Sequence, residues 1–195
     1  MCIRDSSSTR GGVQGLSFVE SLLMGLASDG GLLLPDTLPD LGERLDELSQ
    51  HNFVELAKVI LAEFADDLDQ ATLDGLVENA YATFDHPEVV PTVQLGDTTL
   101  VELFHGPTLA FKDIALQLLG QLFNHVLTRD NKHLNILGAT SGDTGSAAIA
   151  GVRGQEHIDI FILYPDGKVS ALQELQMTTV PDANVHCIAV KGSFD

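Results

Sequence analysis

The pattern of hydrophobic and polar positions predicts a helical first part of the chain. Two stretches, 53–64 and 73–84, repeat apolar residues at i, i+3, i+4, i+7, i+8 and i+11, which is the spacing of an amphipathic helix. Ser17 and Glu20 have the spacing of a capping box, so a further helix is predicted to begin there and to end near Asp29. We therefore predict that residues 1–88 form a small, mostly helical domain.

The pattern changes after residue 88. Two short apolar runs on either side of residues 96–99 predict a β-hairpin. Apolar strands are then predicted at 134–139, 159–163 and 185–190, with helices beginning at Ser146 and after Ser170. Strands that alternate with helices form a parallel sheet with helices on its faces. Residues 89–195 are therefore predicted as an α/β domain.

The helix predicted from Asp113 onwards has almost no polar side. Its apolar stripe comprises Ala115, Leu118, Leu119, Leu122, Phe123 and Val126. A helix of this kind is expected to be buried. Lys112 precedes it, near the positive end of the helix dipole, where loss of hydration would also favour the neutral amine that attacks carbonyl groups. The alternative is that Lys112 reaches solvent or pairs with Asp113, and the residues alone leave both interpretations open.

A second stretch, residues 139–146, lies between a predicted strand and a predicted helix and consists of small and hydroxyl residues. Open α/β sheets bind ligands at such positions, and the N–H groups of a helix start can hold an anion. The stretch lacks both the lysine of a nucleotide phosphate loop and the glycine pattern of a dinucleotide fingerprint. Asp143 would be unusual in a plain phosphate site, and favours a ligand that also offers a donor or a positive charge. A tight turn without a ligand is the alternative.

Composition narrows the function classes. Hydrophobic residues make up 44% of the chain, enough for a core, and 10 basic against 28 acidic residues give a net charge of −18. Such an acidic chain is not expected to bind nucleic acid or an anionic membrane surface. No apolar run reaches the length of a membrane span, and two distant cysteines, Cys2 and Cys187, suggest neither a disulfide framework nor a metal site. We expect a cytoplasmic protein that acts on small molecules.

Four motifs in order resemble the threonine synthases, pyridoxal-phosphate enzymes of fold type II. They are STRGG (8–12), ELFHGPTLAFKD (102–113), ATSGDTGSAA (139–148) and LYPDGKVSALQELQM (163–177). The resemblance runs from Ser8 to the end of the chain. It implies that residues 89–195 are the beginning of the pyridoxal-phosphate-dependent α/β catalytic domain.

The resemblance also implies roles for single residues. Lys112 would hold pyridoxal 5'-phosphate covalently and act as the proton carrier. Ser141, Gly142, Asp143, Thr144 and Gly145 would form the loop that lies over the cofactor and receives the substrate carboxylate. The implied reaction converts O-phospho-L-homoserine and water into L-threonine and phosphate.

Four other residues are weaker candidates. Thr140 and Lys168 are candidates for contacts with the substrate, Lys168 because it is a cation in a loop after a sheet strand. His105 is a candidate neighbour of the cofactor. Arg10 is expected to hold the N-terminal segment in place. The oligomeric state is left open.

The family pattern also sets expectations about the ends of the chain. Its members continue well beyond residue 195, where the glycine-rich loop for the cofactor phosphate and the partner of the pyridine nitrogen are expected. The 195-residue chain is therefore expected to be an incomplete catalytic unit that binds the cofactor weakly and turns over no substrate. The first residues, MCIRDS, depart from the family, and Asp195 resembles the cap of a further helix.

Two other functions remain open. One is a dehydratase or a threonine synthase-like phospho-lyase of the same fold. The other is a non-catalytic fragment or binding module.

Overall fold

The computed structural model describes residues 5–192. Residues 1–4 and 193–195 lie outside the described part, and with them Cys2 and the predicted helix cap Asp195. The chain divides into two compact units, residues 1–78 and 79–195. The domain boundary predicted after residue 88 stays a prediction.

The first unit is mainly helical but also contains a small β-ribbon. Its elements are β1 (Ser6–Ser8), α1 (Phe18–Met24), β2 (Leu33–Pro35), a 3-10 turn (Gly42–Arg44), α2 (Leu45–Leu48), α3 (Phe53–Ala62) and α4 (Gln70–Tyr81), which runs across the boundary. Strands β1 and β2 pair antiparallel. Lys58 on α3 donates to the carboxylate of Glu78 on α4, which links these two helices.

The predicted capping box is present at the start of α1. Ser17 Oγ accepts the Glu20 N–H, and the Glu20 carboxylate accepts the Ser17 N–H in return. The helix ends at Met24, several residues before the predicted end at Asp29, because Gly25 has a φ of +67° and reverses the chain. Asp29 instead accepts the hydroxyl of Ser8 and the N–H of Gly12, and so holds the N-terminal turn.

The second unit confirms the predicted α/β class. Its elements are β3 (Thr92–Leu95), β4 (Thr98–Val101), α5 (Asp113–Asp130), β5 (Leu134–Ala139), α6 (Asp143–Val152), β6 (Ile158–Pro165), α7 (Ala171–Thr178) and β7 (Val185–Val190). Strands β3 and β4 form the predicted hairpin, and β5, β6 and β7 form a parallel sheet in that order. Helix α6 begins three residues before the predicted start at Ser146.

The two faces of the parallel sheet differ in burial. Ile158, Ile160 and Ile162 on β6 are buried, and Ile162 lies against the start of α6 near Gly145. The opposite face leaves Leu137 72% exposed and Ile188 45% exposed. Parallel sheets are usually covered on both faces. The described residues cover one of them.

Helix α5 is buried along one side and not all round as predicted. Its buried positions include the polar residues Asp113 and Gln117, whereas Ala115 of the predicted apolar stripe is exposed. The reason is the close approach of α6, whose Gly151 carbonyl oxygen touches the position a side chain on Gly120 would occupy. Small and polar residues therefore line the contact between these two helices.

Candidate functional site

The turn before α5 is held by a buried carboxylate. Asp113 has no exposed surface, and its Oδ2 and Oδ1 accept the N–H and the hydroxyl of Thr108 at 2.8 and 2.7 Å. Gln117 Nε2 donates to the same Oδ1 at 3.3 Å, one helical turn further on. Hydrogen bonds to ionised groups are stronger than those between neutral groups. Asp113 therefore fixes the turn from Gly106 to Phe111, and with it the backbone position of Lys112.

Lys112 extends from this turn towards the second motif. Its Nζ lies 3.0 Å from Oδ2 of Asp143 and 4.2 Å from the centre of the Phe111 ring. The lysine side chain is 29% exposed and that of Asp143 is 43% exposed. The two motifs, 31 residues apart in the chain, thus meet at an ion pair that solvent and small molecules can reach.

A buried hydroxyl organises the turn at the start of α6. Thr140 is 2% exposed, and its Oγ1 accepts the N–H groups of Gly142 and Gly145 at 3.0 and 2.9 Å. Gly142 has a φ of +147°, a conformation that residues with a side chain rarely adopt. Ser146 is also buried and donates its hydroxyl to the carbonyl of Asp143. Ser141 and Thr144 are exposed on the outside of this turn.

The sequence predicts that an anion can bind at the start of α6, and the carboxylate of Asp143 lies there. Asp143 Oδ1 accepts the N–H of Thr144 at 2.9 Å, while Oδ2 faces Lys112. The hydrogen bond from Lys112 and the neighbouring backbone donors hold the pKa of the Asp143 carboxyl below its ordinary value, against the opposing effect of burial. The sequence predicts unpaired N–H groups at this turn. Two of them, those of Gly142 and Gly145, instead donate hydrogen bonds to Thr140 Oγ1.

These contacts change two expectations about Lys112. Its partner is Asp143 and not Asp113, because the Asp113 carboxylate is buried and committed to Thr108 and Gln117. The side chain is also partly exposed and paired with a carboxylate, and not enclosed at a buried helix start as the sequence suggested. The positive charge expected opposite Asp143 is that of Lys112.

The weaker candidates lie in different settings. Both ring nitrogens of His105 contact carboxylates, Nε2 with Glu102 at 2.8 Å and Nδ1 with Asp85 at 3.2 Å. Hydrogen bonding to Glu102, followed by that to Asp85, raises the pKa of His105. Lys168 is exposed in the turn after β6. Arg10, in the first unit, donates to the carbonyl of Asp29.

Sequence reasoning missed two features that shape this site. One is the Thr108–Asp113 brace, for which a threonine and an aspartate five residues apart were the available signal. The other is a pair of contacts from α7, a helix that the sequence does predict: its Gln173 side chain lies against Gly142, and its Gln176 reaches the Thr108 carbonyl at 3.5 Å. No pattern within α7 points to either contact, since both partners are distant in the chain.

None of the helices in residues 5–192 has the length and apolar character needed to cross a bilayer. Within the same part of the chain, no three histidine, cysteine or acidic side chains are placed to hold a metal ion.

Comparison with known proteins identifies the family. Residues 6–81 match the family model described as threonine synthase N terminus. The threonine synthase of Schizosaccharomyces pombe is 48% identical over 200 residues, which cover 96% of this chain and 39% of that protein. The threonine synthase-like 2 protein of Xenopus laevis is 43% identical, over 97% of this chain and 41% of that protein.

A solved structure matches over nearly the whole chain as well. It is the crystal structure of PLP-bound threonine synthase from Brucella melitensis, with a TM-score of 0.91 and 44% identity, covering 98% of this chain and 42% of that one. The α/β fold and these matches place the chain in the fold class of these threonine synthases, fold type II. Within that class the chain belongs to the threonine synthase family and corresponds to the N-terminal part of its members. It spans about two fifths of the length of these relatives.

Proposed function

We propose that this chain carries the cofactor-holding lysine and the substrate-facing loop of a pyridoxal-phosphate-dependent threonine synthase. The proposed reaction converts O-phospho-L-homoserine and water into L-threonine and phosphate. The supporting observation is the 3.0 Å contact between Lys112 Nζ and Asp143, because it brings the two motifs that carry the family resemblance to one place.

The residues present fit pyridoxal 5'-phosphate in the chemistry of their donors. Lys112 offers a partly exposed primary amine, the group that condenses with an aldehyde. Ser141 and Thr144 add exposed hydroxyl groups at the start of α6. When bound, the cofactor supplies an electron sink for negative charge that develops beside the substrate amine.

The side chains of this region then have separate tasks. Lys112 Nζ holds and moves the proton at Cα of the substrate, and carries protons to and from Cβ and Cγ. The hydroxyls of Ser141 and Thr144 bind the substrate carboxylate. Thr140 and Asp113 keep the two turns in place through their buried hydrogen bonds.

We further propose the organisation predicted from the sequence, with a mostly helical domain in residues 1–88 and the beginning of the catalytic domain in 89–195. The cytoplasm is the proposed compartment. Lys168 is kept as a proposed contact for the substrate phosphate, since it is exposed in a turn that follows a sheet strand.

A related phospho-lyase is the second candidate function, favoured by the 43% identity to the threonine synthase-like 2 protein. Incubation of this sequence, extended to the full length of its relatives, with O-phospho-L-homoserine, followed by separate assays for threonine and for free phosphate, distinguishes the two. Phosphate release without threonine would favour the second candidate.

Titration of the purified chain with pyridoxal 5'-phosphate tests the proposal. We expect a visible absorbance band that is absent from Lys112→Arg, because arginine keeps the positive charge beside Asp143 but forms no adduct with the aldehyde. An equal band in the variant would contradict the role of Lys112.

A further inference from the structure

We infer that Asp143 is a positioning residue that controls the reactivity of Lys112. While Lys112 Nζ is hydrogen-bonded to this carboxylate, it is not placed to attack a carbonyl, so this ion pair must open before the lysine takes an aldehyde. The inference deepens the proposed function and rests on it for the identity of that aldehyde.

The carboxylate is placed by its own turn and not by the lysine. Thr144 N–H holds Oδ1, which leaves Oδ2 towards Lys112. The Asp143 carbonyl accepts the hydroxyl of the buried Ser146, and Thr140 holds the glycines on both sides of the turn. Asp143 therefore presents a fixed negative charge whether or not Lys112 is beside it.

Two groups that attract a cation lie beside the amine. Asp143 lies at 3.0 Å, and the Phe111 ring at 4.2 Å offers the electron-rich face that attracts cations. The next carboxylate along the chain, Asp113, is buried and bound to Thr108 and Gln117.

The side chains of α7 that reach the turns before α5 and α6 carry no charge. Its Gln173 and Gln176 lie against the turns and are uncharged. Glu174 on the same helix accepts the hydroxyl of Tyr164. Among the described residues that contact Lys112 Nζ, Asp143 is thus the charged one.

The chemistry makes this pairing inhibitory. An ammonium ion has no lone pair, so it must first release a proton to solvent. The nitrogen lone pair then forms a bond to the carbonyl carbon, and the carbonyl oxygen leaves as water after taking up protons. Each condensation yields one carbon–nitrogen double bond and one water, and releases one net proton from the ammonium form. The hydrogen bond to Asp143 must break before the lysine can react, so the pairing slows the first of these steps.

The test measures how fast Lys112 takes an aldehyde at different pH values. The probe is pyridoxal, which lacks the phosphate, so that differences in phosphate binding do not enter. The adduct is reduced with borohydride and quantified at Lys112 by peptide mass spectrometry. The 195-residue chain is compared with Asp143→Asn and with Asp130→Asn, which removes the carboxylate of the surface pair with Lys132.

We expect Asp143→Asn to react about two- to fivefold faster near neutral pH, the range expected for a partly exposed pair. The difference should disappear at alkaline pH, where the amine is neutral in both proteins, and Asp130→Asn should match the wild type throughout. Raised salt should also speed the wild type and leave Asp143→Asn unchanged, because it screens the pair. The salt dependence of the wild type alone can be measured even if a variant fails to fold.

Three results would overturn the inference. Equal or slower labelling of Asp143→Asn at neutral pH, or wild-type labelling that ignores salt, would contradict it while leaving the proposed function standing. No adduct at Lys112 in either protein at any pH would overturn both.

Discussion

Helices α5 and α6 begin in the same way and use their first residue differently. Each follows a tight turn, lacks a side-chain cap, and has an aspartate as its first residue, Asp113 or Asp143. Asp113 is fully buried and accepts hydrogen bonds from Thr108 and Gln117. The side chain of Asp143 is 43% exposed and faces Lys112.

Burial and local hydrogen-bond donors, more than residue type or position in the helix, determine what a carboxylate does. Both aspartates gain from the positive end of a helix dipole. Only Asp113 is needed to satisfy buried donors, so its role is structural. Asp143 is free to hold a reactive amine because backbone and hydroxyl groups already stabilise its turn.

The largest expected effect is that of Asp113→Ala. The variant leaves the half-buried N–H and hydroxyl of Thr108 and the buried amide of Gln117 without their acceptor, and each unsatisfied buried group costs about 1–3 kcal/mol. We expect the free energy of unfolding in urea to fall by about 3 kcal/mol. The matched control, Asp143→Ala, should change it by less than about 1 kcal/mol, as for other partly exposed pairs. Similar losses in both variants would remove the contrast between the two helix starts.

A smaller effect is expected from Thr140→Val. The substitution keeps the shape but removes the oxygen that accepts the Gly142 and Gly145 N–H groups, at a cost of about 2 kcal/mol in unfolding free energy. Thr144→Val, at an exposed position of the same turn, should change stability by less than about 0.5 kcal/mol. Urea unfolding measures both changes. An unfolding free energy for Thr140→Val equal to that of the wild type would mean that α6 holds the turn without the hydroxyl.

The smallest effect concerns pH. Since the pKa of the Asp143 carboxyl is lowered in the folded chain, its contribution is present above the unfolded value and is lost as pH falls through the folded value. The stability difference between wild type and Asp143→Asn should therefore shrink as pH falls below 3.8, the ordinary value for this carboxyl. Unfolding free energies of both proteins across the acidic range measure it, and a difference that grows on acidification would contradict the ion pair.

The sequence predicted the elements of the second unit more fully than their contacts. Strands β5 and β7 have the predicted bounds, because short apolar runs flanked by polar residues predict strands well. The start of α6 was placed too late, since Gly142, Asp143 and Thr144 have low helix propensity and resemble a loop. Helix α2 was missed because four residues are too few to show a helical period.

The partner of Lys112 could not be predicted, for a different physical reason. Periodicity reports on neighbours within one element, whereas Lys112 and Asp143 lie on different helices, 31 residues apart. The resemblance named both residues, and the fold of the second unit supplied their contact. The Thr108–Asp113 brace is local, but it matches none of the common capping patterns.

The most direct test of the account is to identify which lysine takes pyridoxal 5'-phosphate after borohydride reduction. The chain offers Lys58, Lys112, Lys132, Lys168 and Lys191. Peptide mapping at limiting cofactor should place the label on Lys112, with Lys112→Arg losing it and showing no matching gain elsewhere. A label spread over the surface lysines, or placed mainly on one of them, would contradict the account.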